Sequence, residues 1–196
     1  IDDWRRYVAD FATFASTVGR EYAMGRPLDL YCHSMGGGIG AAVLERYPSL
    51  FDKAVLSAPM IAPAVGMPTW VARIVVGGIC ALGFGKSRVF GHADFSDNLN
   101  LDDYRGASEA RIRWFHKQRL ADECCWTNAA TFEWANQAMA LSRAVLKPDM
   151  CGAIETPTLL FQAGLDVWVL NGPQDEFIER MREGGGSIEK GRYDQS

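Results

Sequence analysis

The sequence lacks the features that mark several common protein classes. It has 20 Lys and Arg against 24 Asp and Glu, a net charge of −4, and no run of five like charges. A general nucleic-acid surface needs clustered Lys and Arg, so we expect no nucleic-acid partner. The longest apolar stretch, residues 70–84, is interrupted by Arg73. It is shorter than the roughly 20 residues that span a bilayer. We interpret it as a helix that covers a pocket or contacts lipid.

Cysteine is sparse and does not form metal-binding patterns. The five cysteines include one adjacent pair, Cys124 and Cys125, and none has the C-x-x-C or Cys/His spacing of a zinc site. We therefore expect no structural metal. An odd number of cysteines without a signal peptide predicts reduced thiols and a cytoplasmic protein.

Histidine is scarcer still, and an initiator Met is absent. The three histidines are His33, His92 and His116. From Ile1 the chain already shows a helical pattern, with apolar residues at three- and four-residue intervals up to Phe14. A domain rarely begins inside a helix, so we expect an upstream segment to be missing.

Short apolar segments alternate with helical patterns over much of the chain. Helices are predicted from the glycines after Ser34 to about Tyr47, and over residues 173–182. Strands are predicted at residues 28–32, 52–57 and 158–162, with a fourth beginning at 187–190. This alternation implies βαβ units and a parallel sheet, the α/β class.

The middle of the chain differs from its two ends. Residues 61–150 are rich in Trp and Met, and helices are predicted at about 68–83, 107–120 and 128–145. Ninety residues are too many for a plain loop, so we interpret this segment as an inserted helical cap. The predicted organisation is a core in two parts, residues 1–60 and 151–196, with the cap between them.

One motif carries nucleophilic chemistry. Cys32-His33-Ser34-Met35-Gly36 fits small-x-Ser-x-Gly at a predicted strand-to-helix turn. Such a nucleophile elbow places its Ser on a sharp, strained turn. Cys32 and Gly36 are expected to be small because strand and helix approach there, with Gly37 and Gly38 helping the helix pack. The backbone N–H of Met35 would be one oxyanion donor.

Several segments together resemble the monoacylglycerol lipase and bacterial lysophospholipase (L2-type) branch of the α/β-hydrolases. They are His33-Ser34-Met35-Gly36-Gly37, Ala54-Val55-Leu56-Ser57-Ala58-Pro59-Met60, Met67-Pro68, Phe132-Glu133-Trp134 and Thr156-Pro157-Thr158-Leu159-Leu160-Phe161-Gln162-Ala163. The resemblance implies a partial α/β-hydrolase fold with only the later strands. It also implies a serine carboxylic-ester hydrolase that acts on lysophospholipid or monoacylglycerol through an acyl-enzyme on Ser34. Such chemistry needs no metal or organic cofactor.

The same resemblance indicates the catalytic acid. In the family the acid follows the strand after the cap, in a segment like Gln-Ala-Gly-x-Asp. Residues 162–166 match it, which implies that Asp166 is the acid. Asp149 and Asp175 are weaker candidates, because one precedes the strand and the other lies in the next helix.

The base is the missing part. The triad's chain order in this fold is Ser, Asp, His, yet all three histidines precede Asp166. The family's Gly-x-x-His corresponds here to Gly191-Arg192-Tyr193-Asp194, which places Asp194 at the histidine position. Either the chain is cut at this end or the base has been lost. The missing front segment, which would carry the second oxyanion donor, favours an incomplete chain that is inactive or nearly so.

Two alternatives stay open: a non-catalytic ligand-binding or interaction module on a hydrolase scaffold, and an acyltransferase. The expected partner is a small lipid ester. Peripheral contact of the cap with the inner membrane stays open as a further expectation. The sequence indicates no oligomeric state. The family's earlier neighbour of the strand at 28–32 is absent, so we also expect that strand to be an unpaired edge.

Overall fold

A computed structural model of the chain describes residues 2–91, 94–104 and 107–194. Its centre is a parallel four-stranded sheet whose spatial order follows the chain, β1-β2-β3-β4. The strands are β1 (Leu30–His33), β2 (Ala54–Ser57), β3 (Thr158–Ala163) and β4 (Ile188–Tyr193). This confirms the predicted α/β class and parallel sheet, although β1 begins two residues later than predicted and β4 continues three residues further.

The helices follow the predicted alternation. Outside the segment between β2 and β3, the helices are α1 (Trp4–Phe14), α2 (Arg20–Ala23), α3 (Met35–Arg46) and α8 (Asn171–Glu183), with a π-helical turn, Ala15–Gly19, joining α1 and α2. Contacts of α3 with β1 and β2, and of α8 with β3 and β4, cover the strands. Fully buried side chains at this junction include Leu44, Leu56, Leu160 and Phe177. Their burial supplies the main driving force for the fold.

Between β2 and β3 the regular elements that the structure describes are helices, joined by turns and irregular segments. The α-helices here are α4 (Thr69–Ile79), α5 (Glu109–Leu120), α6 (Phe132–Val145) and α7 (Pro148–Cys151), with a π-helical turn at Cys80–Phe84 and 3₁₀ turns at Leu101–Tyr104 and Glu123–Cys125. The three predicted helices match α4, α5 and α6. The division of the chain into core and cap itself stays a prediction. No helix in the described ranges has the length and apolarity needed to cross a bilayer.

Side-chain caps fix two helix starts that the apolar pattern could only approximate. The carboxylate of Asp3 accepts a hydrogen bond from Arg5 N at 2.9 Å, and Thr131 Oγ1 accepts one from Trp134 N at 3.2 Å. These bonds satisfy N–H groups that have no partner inside a first helical turn. The helix predicted from residue 128 therefore begins at Phe132.

The strand before Ser34 forms one edge of the sheet. Within the described part of the chain β1 pairs with β2 alone, in the register Leu30↔Ala54 to His33↔Ser57. The predicted unpaired edge is therefore confirmed. An open edge presents backbone donors and acceptors to any other strand.

Candidate active site

Ser34 lies between the end of β1 and the start of α3, in a strained conformation. Its φ is 51° and its ψ is −122°, which is unusual for a residue with a Cβ. Its carbonyl accepts hydrogen bonds from the N–H groups of Gly37, Gly38 and Met60 at 2.9, 3.2 and 2.8 Å. Strain of this kind persists only where surrounding contacts over-determine the conformation. The strained turn is as the elbow motif predicts.

The close approaches around the elbow differ in part from the prediction. An added Cβ on Gly36 would meet nothing within 4 Å, so the expectation that position 36 must be small for strand–helix packing is wrong. A Cβ on Gly40 would lie 2.7 Å from Cys32 Sγ, so the lack of a side chain at Gly40 leaves room for the side chain of Cys32. Gly36 and Gly40 lie on the same face of α3, and the close approach to Cys32 occurs at Gly40, one turn further along the helix.

Gly37 and Gly38 pack against the segment after β2. Added Cβ atoms would lie 2.6 Å from Pro59 Cα and 2.5 Å from the Met60 carbonyl oxygen, respectively. These distances are shorter than a Cβ tolerates, so both positions need glycine. The start of α3 therefore packs against Pro59 and Met60, and the N–H of Met60 also donates to the Ser34 carbonyl.

Met35 begins α3, and its N–H makes no backbone hydrogen bond within the part of the chain that the structure describes. The first N–H groups of a helix carry partial positive charge and attract anions. Its thioether sulfur accepts a hydrogen bond from Trp134 Nε1 at 3.4 Å, which links α6 to the elbow. The N–H is thus suited to the predicted oxyanion role, which stays a prediction.

Cys32 is a structural residue at the elbow. Its side chain is buried, and burial raises the pKa of its thiol to about 11. The thiol therefore stays protonated near neutral pH, and a protonated thiol is a poor nucleophile. Of the two nucleophilic side chains in the motif, only Ser34 is half-exposed.

Ser34 and Met35 line a cavity of about 540 Å³. No charged side chain lines it among the described residues. Part of the apolar wall comes from α4 and α6, including Ala72, Val75, Val76, Phe132, Trp134 and Met139, and the rest comes from the connecting segments. Pockets of this size, largely apolar with a few polar groups, are typical of small-molecule sites. The nucleophile position thus opens onto a space suited to a hydrocarbon group.

Asp166 lies in the loop after β3. Its Oδ1 accepts hydrogen bonds from Trp168 N at 2.8 Å and Val169 N at 3.0 Å. Trp168 and Val169 also line the cavity. Because β1 and β3 run parallel, Ser34 and Asp166 both follow the carboxyl ends of their strands, at the same edge of the sheet. This agrees with the predicted placement, while the role of catalytic acid stays a prediction.

Asp194 follows β4 at that same edge. Its Oδ1 accepts a hydrogen bond from Arg192 Nε at 2.5 Å, and the side chain is 74% exposed. Its Cα would lie 2.8 Å from a Cβ on Gly164. Position 194, at which the resemblance implies a histidine, thus lies against the start of the loop that carries Asp166.

The described histidines bond away from Ser34. His33 Nδ1 lies 3.1 Å from the Ser57 carbonyl oxygen, and His116 Nε2 lies 2.9 Å from that of Asp97. Neither lines the cavity. His92 lies outside the described residues. The structure therefore pairs no described imidazole with Ser34.

The two weaker acid candidates lie elsewhere. Asp175 Oδ1 accepts hydrogen bonds from Lys190 Nζ at 2.6 Å and Gln162 Nε2 at 3.2 Å. Asp149 is exposed on the short helix α7. Among the described residues, no three His, Cys, Asp or Glu side chains gather closely enough to hold a metal ion.

Sequence analysis missed a group of buried amides beside this site. Gln162 and Gln174 are fully buried, and Asn171 is half-buried at the start of α8. Polar residues near a helix start are usually assigned to the surface, so periodicity alone gave no signal for them.

Comparison with protein families and solved structures places the chain in context. The model of the family described as serine aminopeptidase, S33, matches residues 1–189. Lysophospholipase L2 of Escherichia coli is 28% identical over 203 aligned residues, which cover 98% of this chain and 56% of that protein. The chain thus spans little more than half the length of this relative.

Two solved structures share the fold at low identity. A thermostable carboxyl esterase from Bacillus coagulans has a TM-score of 0.73 at 11% identity, covering 98% of this chain and 64% of that one. Monoglyceride lipase from Saccharomyces cerevisiae has a TM-score of 0.67 at 17% identity, with coverage of 98% and 62%. The four-stranded sheet and its helices therefore correspond to a part of the α/β-hydrolase fold.

Proposed function

The chain belongs to the serine aminopeptidase S33 family, and from that premise we propose a serine carboxylic-ester hydrolase of single-chain lipid esters. Lysophospholipids and monoacylglycerols are the substrate classes, and Ser34 is the residue that carries the acyl group. The observation that carries the proposal is the strained turn at Ser34, which opens onto an apolar cavity of about 540 Å³.

In the proposed reaction, Ser34 Oγ attacks the ester carbonyl carbon and its proton passes to a base. The Met35 N–H donates a hydrogen bond to the oxyanion that forms. Collapse of this intermediate breaks the ester C–O bond, and the alcohol leaves with the proton. Water then attacks the acyl-enzyme, releases a fatty acid and restores the serine hydroxyl. Asp166 would orient an imidazole base and stabilise its charged form.

The cavity supports an acyl chain as the buried part of the substrate. Its walls are aliphatic and aromatic, and an ionised headgroup inside them would be uncompensated. The headgroup would therefore remain outside while the hydrocarbon chain is buried. The names of the lysophospholipase and monoglyceride lipase relatives agree with such substrates.

The base limits the activity of these 196 residues. A carboxylate is a much weaker base than an imidazole, and the side chain of Asp194 is shorter than that of histidine. We therefore expect hydrolysis by this chain to be very slow. Removing one oxyanion donor alone costs on the order of 10²–10³ in turnover.

A second candidate function is non-catalytic ligand binding. Asp194 is the observation that favours it, because an aspartate paired with Arg192 stands at the histidine position. In that case the cavity would bind a fatty acid or lysolipid without hydrolysis. An acyltransferase would use the same acyl-enzyme but pass the acyl group to an alcohol instead of water.

The test is hydrolysis of a short-chain nitrophenyl ester, a lysophosphatidylcholine and a monoacylglycerol. The proteins compared are this chain, its Ser34→Ala variant and the complete gene product. Turnover that depends on Ser34 supports the hydrolase. Acyl transfer to added alcohol at the expense of hydrolysis supports the transferase. Saturable binding of lysolipid by all three proteins without turnover supports the binding module and refutes the hydrolase.

We also propose that the segment from α4 through its π-helical turn touches a lipid surface, which would bring a cytoplasmic protein to the inner membrane. Trp70, Leu82 and Phe84 are 66%, 76% and 61% exposed there. Exposed aromatic and aliphatic side chains of this kind enter the boundary between headgroups and acyl chains. Co-sedimentation with phospholipid vesicles should fall when Leu82 and Phe84 are replaced by Ser. Unchanged sedimentation of that variant would refute the contact.

A further inference from the structure

Two amide side chains in the first turn of α8 reach toward opposite parts of the candidate site. Asn171 and Gln174, here called the α8 amide pair, are three residues apart and therefore share one helix face. Gln174 has no exposed surface, and its bond partner is 115 residues away in sequence. Neither residue has a role in the proposed reaction, so their burial calls for a physical explanation.

Gln174 bonds to the peptide group that lies next to the nucleophile. Its Nε2 donates to the Pro59 carbonyl oxygen at 3.0 Å. The N–H of the same peptide group, at Met60, donates to the Ser34 carbonyl at 2.8 Å. In a trans peptide the carbonyl and N–H point in opposite directions. One rigid plane therefore lies between Gln174 on one side and Ser34 on the other.

Asn171 bonds to the loop that carries Asp166. Its Nδ2 donates to the carbonyl oxygens of Ala163 at 2.9 Å and Gly164 at 3.3 Å. The Ala163 carbonyl also accepts the N–H of Asp166 at 3.4 Å. Asn171 thus fixes the carbonyl that closes the Asp166 turn.

From this geometry we infer that the α8 amide pair sets the position of Asp166 relative to Ser34. Asn171 and Gln174 are positioning residues, because neither touches the reacting atoms. Their catalytic meaning rests on the proposed function. A helical turn is rigid. Because one turn bonds to both loops, the distance between the loops varies less than it would if each loop moved independently. Misplacement of a catalytic group by about 1 Å can reduce turnover on the order of 100-fold.

The cost of this arrangement supports a role beyond packing. Gln174 Oε1 and Asn171 Oδ1 are buried and have no hydrogen-bond partner within the described residues. A buried amide with half its polar atoms unsatisfied is less favourable than an apolar side chain of the same shape. A helix that served only the core would be more stable with Met or Leu at these positions.

The experiment is native-state hydrogen exchange by NMR on three variants of the whole chain. Gln174→Met and Asn171→Leu keep shape but remove the donors, and Phe177→Leu in the same helix removes core packing without touching a hydrogen bond. At matched global stability, Gln174→Met should speed exchange of the Met60 amide about tenfold, the factor expected for one lost hydrogen bond. Asn171→Leu should do the same at Trp168 and Val169, whose amides bond to Asp166.

A result in which these amides exchange as they do in Phe177→Leu would overturn the inference. A kinetic arm uses the nitrophenyl ester. In a protein with Ser34-dependent turnover, Gln174→Met should lower kcat about tenfold with KM unchanged. A rise in KM as large as the fall in kcat would also contradict a positioning role. If Ser34→Ala changes no rate at all, the proposed function fails, while the exchange measurement still decides whether the pair fixes the two loops.

Discussion

The two ends of the candidate site are built in different ways. At the nucleophile end, the turn at Ser34 is held by the close packing of the α3 glycines against residues 59–60. Three hydrogen bonds to the Ser34 carbonyl and the buried core under α3 hold it as well. At the other end, Asp194 closes a strand with an exposed side chain and one ion pair to Arg192. The fold therefore restricts which residues can occupy the positions around Ser34, but it hardly restricts which side chain can occupy position 194. A residue can therefore change at position 194 without structural cost, whereas the turn at Ser34 cannot change freely.

The largest effect is expected when a methyl group is added at the nucleophile end. Gly38→Ala would bring a Cβ within 2.5 Å of the Met60 carbonyl oxygen. We expect a loss of about 3 kcal/mol in the free energy of unfolding, because neither backbone can move without breaking the elbow. Urea denaturation measures it, with Gly36→Ala as the matched control. The control should be stabilised by about 0.5–1 kcal/mol, since its Cβ meets nothing and Ala favours helix. Equal losses in both variants would contradict the packing described here.

A second effect concerns pH, at the end of α3 far from Ser34. Glu45 in α3 is buried, and burial raises its pKa from 4.5 to about 8 although Arg46 lies 3.3 Å away. The folded protein keeps a proton that the unfolded chain releases above pH 4.5. Stability should therefore fall as pH rises from about 4.5 to 8, and level off above.

Glu45→Gln should remove this slope, because the amide does not titrate. Urea unfolding at several pH values provides the measurement. If the wild-type and the variant show the same slope, another group is responsible and Glu45 is ionised in the folded state.

A change at position 194 should alter chemistry more than stability. Asp194→His restores the residue that the family resemblance implies. We expect Ser34-dependent ester hydrolysis by the chain to rise about tenfold to 100-fold, at or below the lower end of the usual contribution of a general base. Hydrolysis of the nitrophenyl ester by Asp194→His and by the double variant with Ser34→Ala tests this. A rise that survives loss of Ser34 would place the chemistry elsewhere.

The smallest effect is expected from removing the ion pair at that end. Asp194→Ala should change the free energy of unfolding by less than about 0.5 kcal/mol, since exposed pairs contribute little. A loss comparable to that of Gly38→Ala would end the contrast between the two ends.

The sequence predicted the features that depend on local pattern. Apolar runs and glycine breaks located all four strands and the helices between them. Helix starts were displaced by a few residues, both where a side-chain cap such as Thr131 decides the first turn and at α8, which has no such cap. The strained turn at Ser34 followed from the motif, and the placement of Asp166 at the same edge of the sheet followed from the family resemblance. These roles remain predictions.

Features that depend on where a helix meets its neighbour were not predictable. Gly36 was expected to pack closely against the strand, yet Gly40 does so, one turn further along the same face of α3. The burial of Gln174 likewise depends on Pro59, which is 115 residues distant. Nothing in a single sequence relates the two.

The hydrogen bond from Trp134 to the sulfur of Met35 gives the chain an optical signal of its own. The indole lies on the cavity wall, and its N–H is attached to the residue that follows the nucleophile. A hydrocarbon chain that enters the cavity changes the polarity around the indole of Trp134. Oxidation of the Met35 thioether to a sulfoxide would give the indole N–H a stronger hydrogen-bond acceptor. The chain has six tryptophans, and Trp168 also lines the cavity, so the part of the emission that a Trp134→Phe variant removes is the part that reports occupancy and oxidative damage at the elbow.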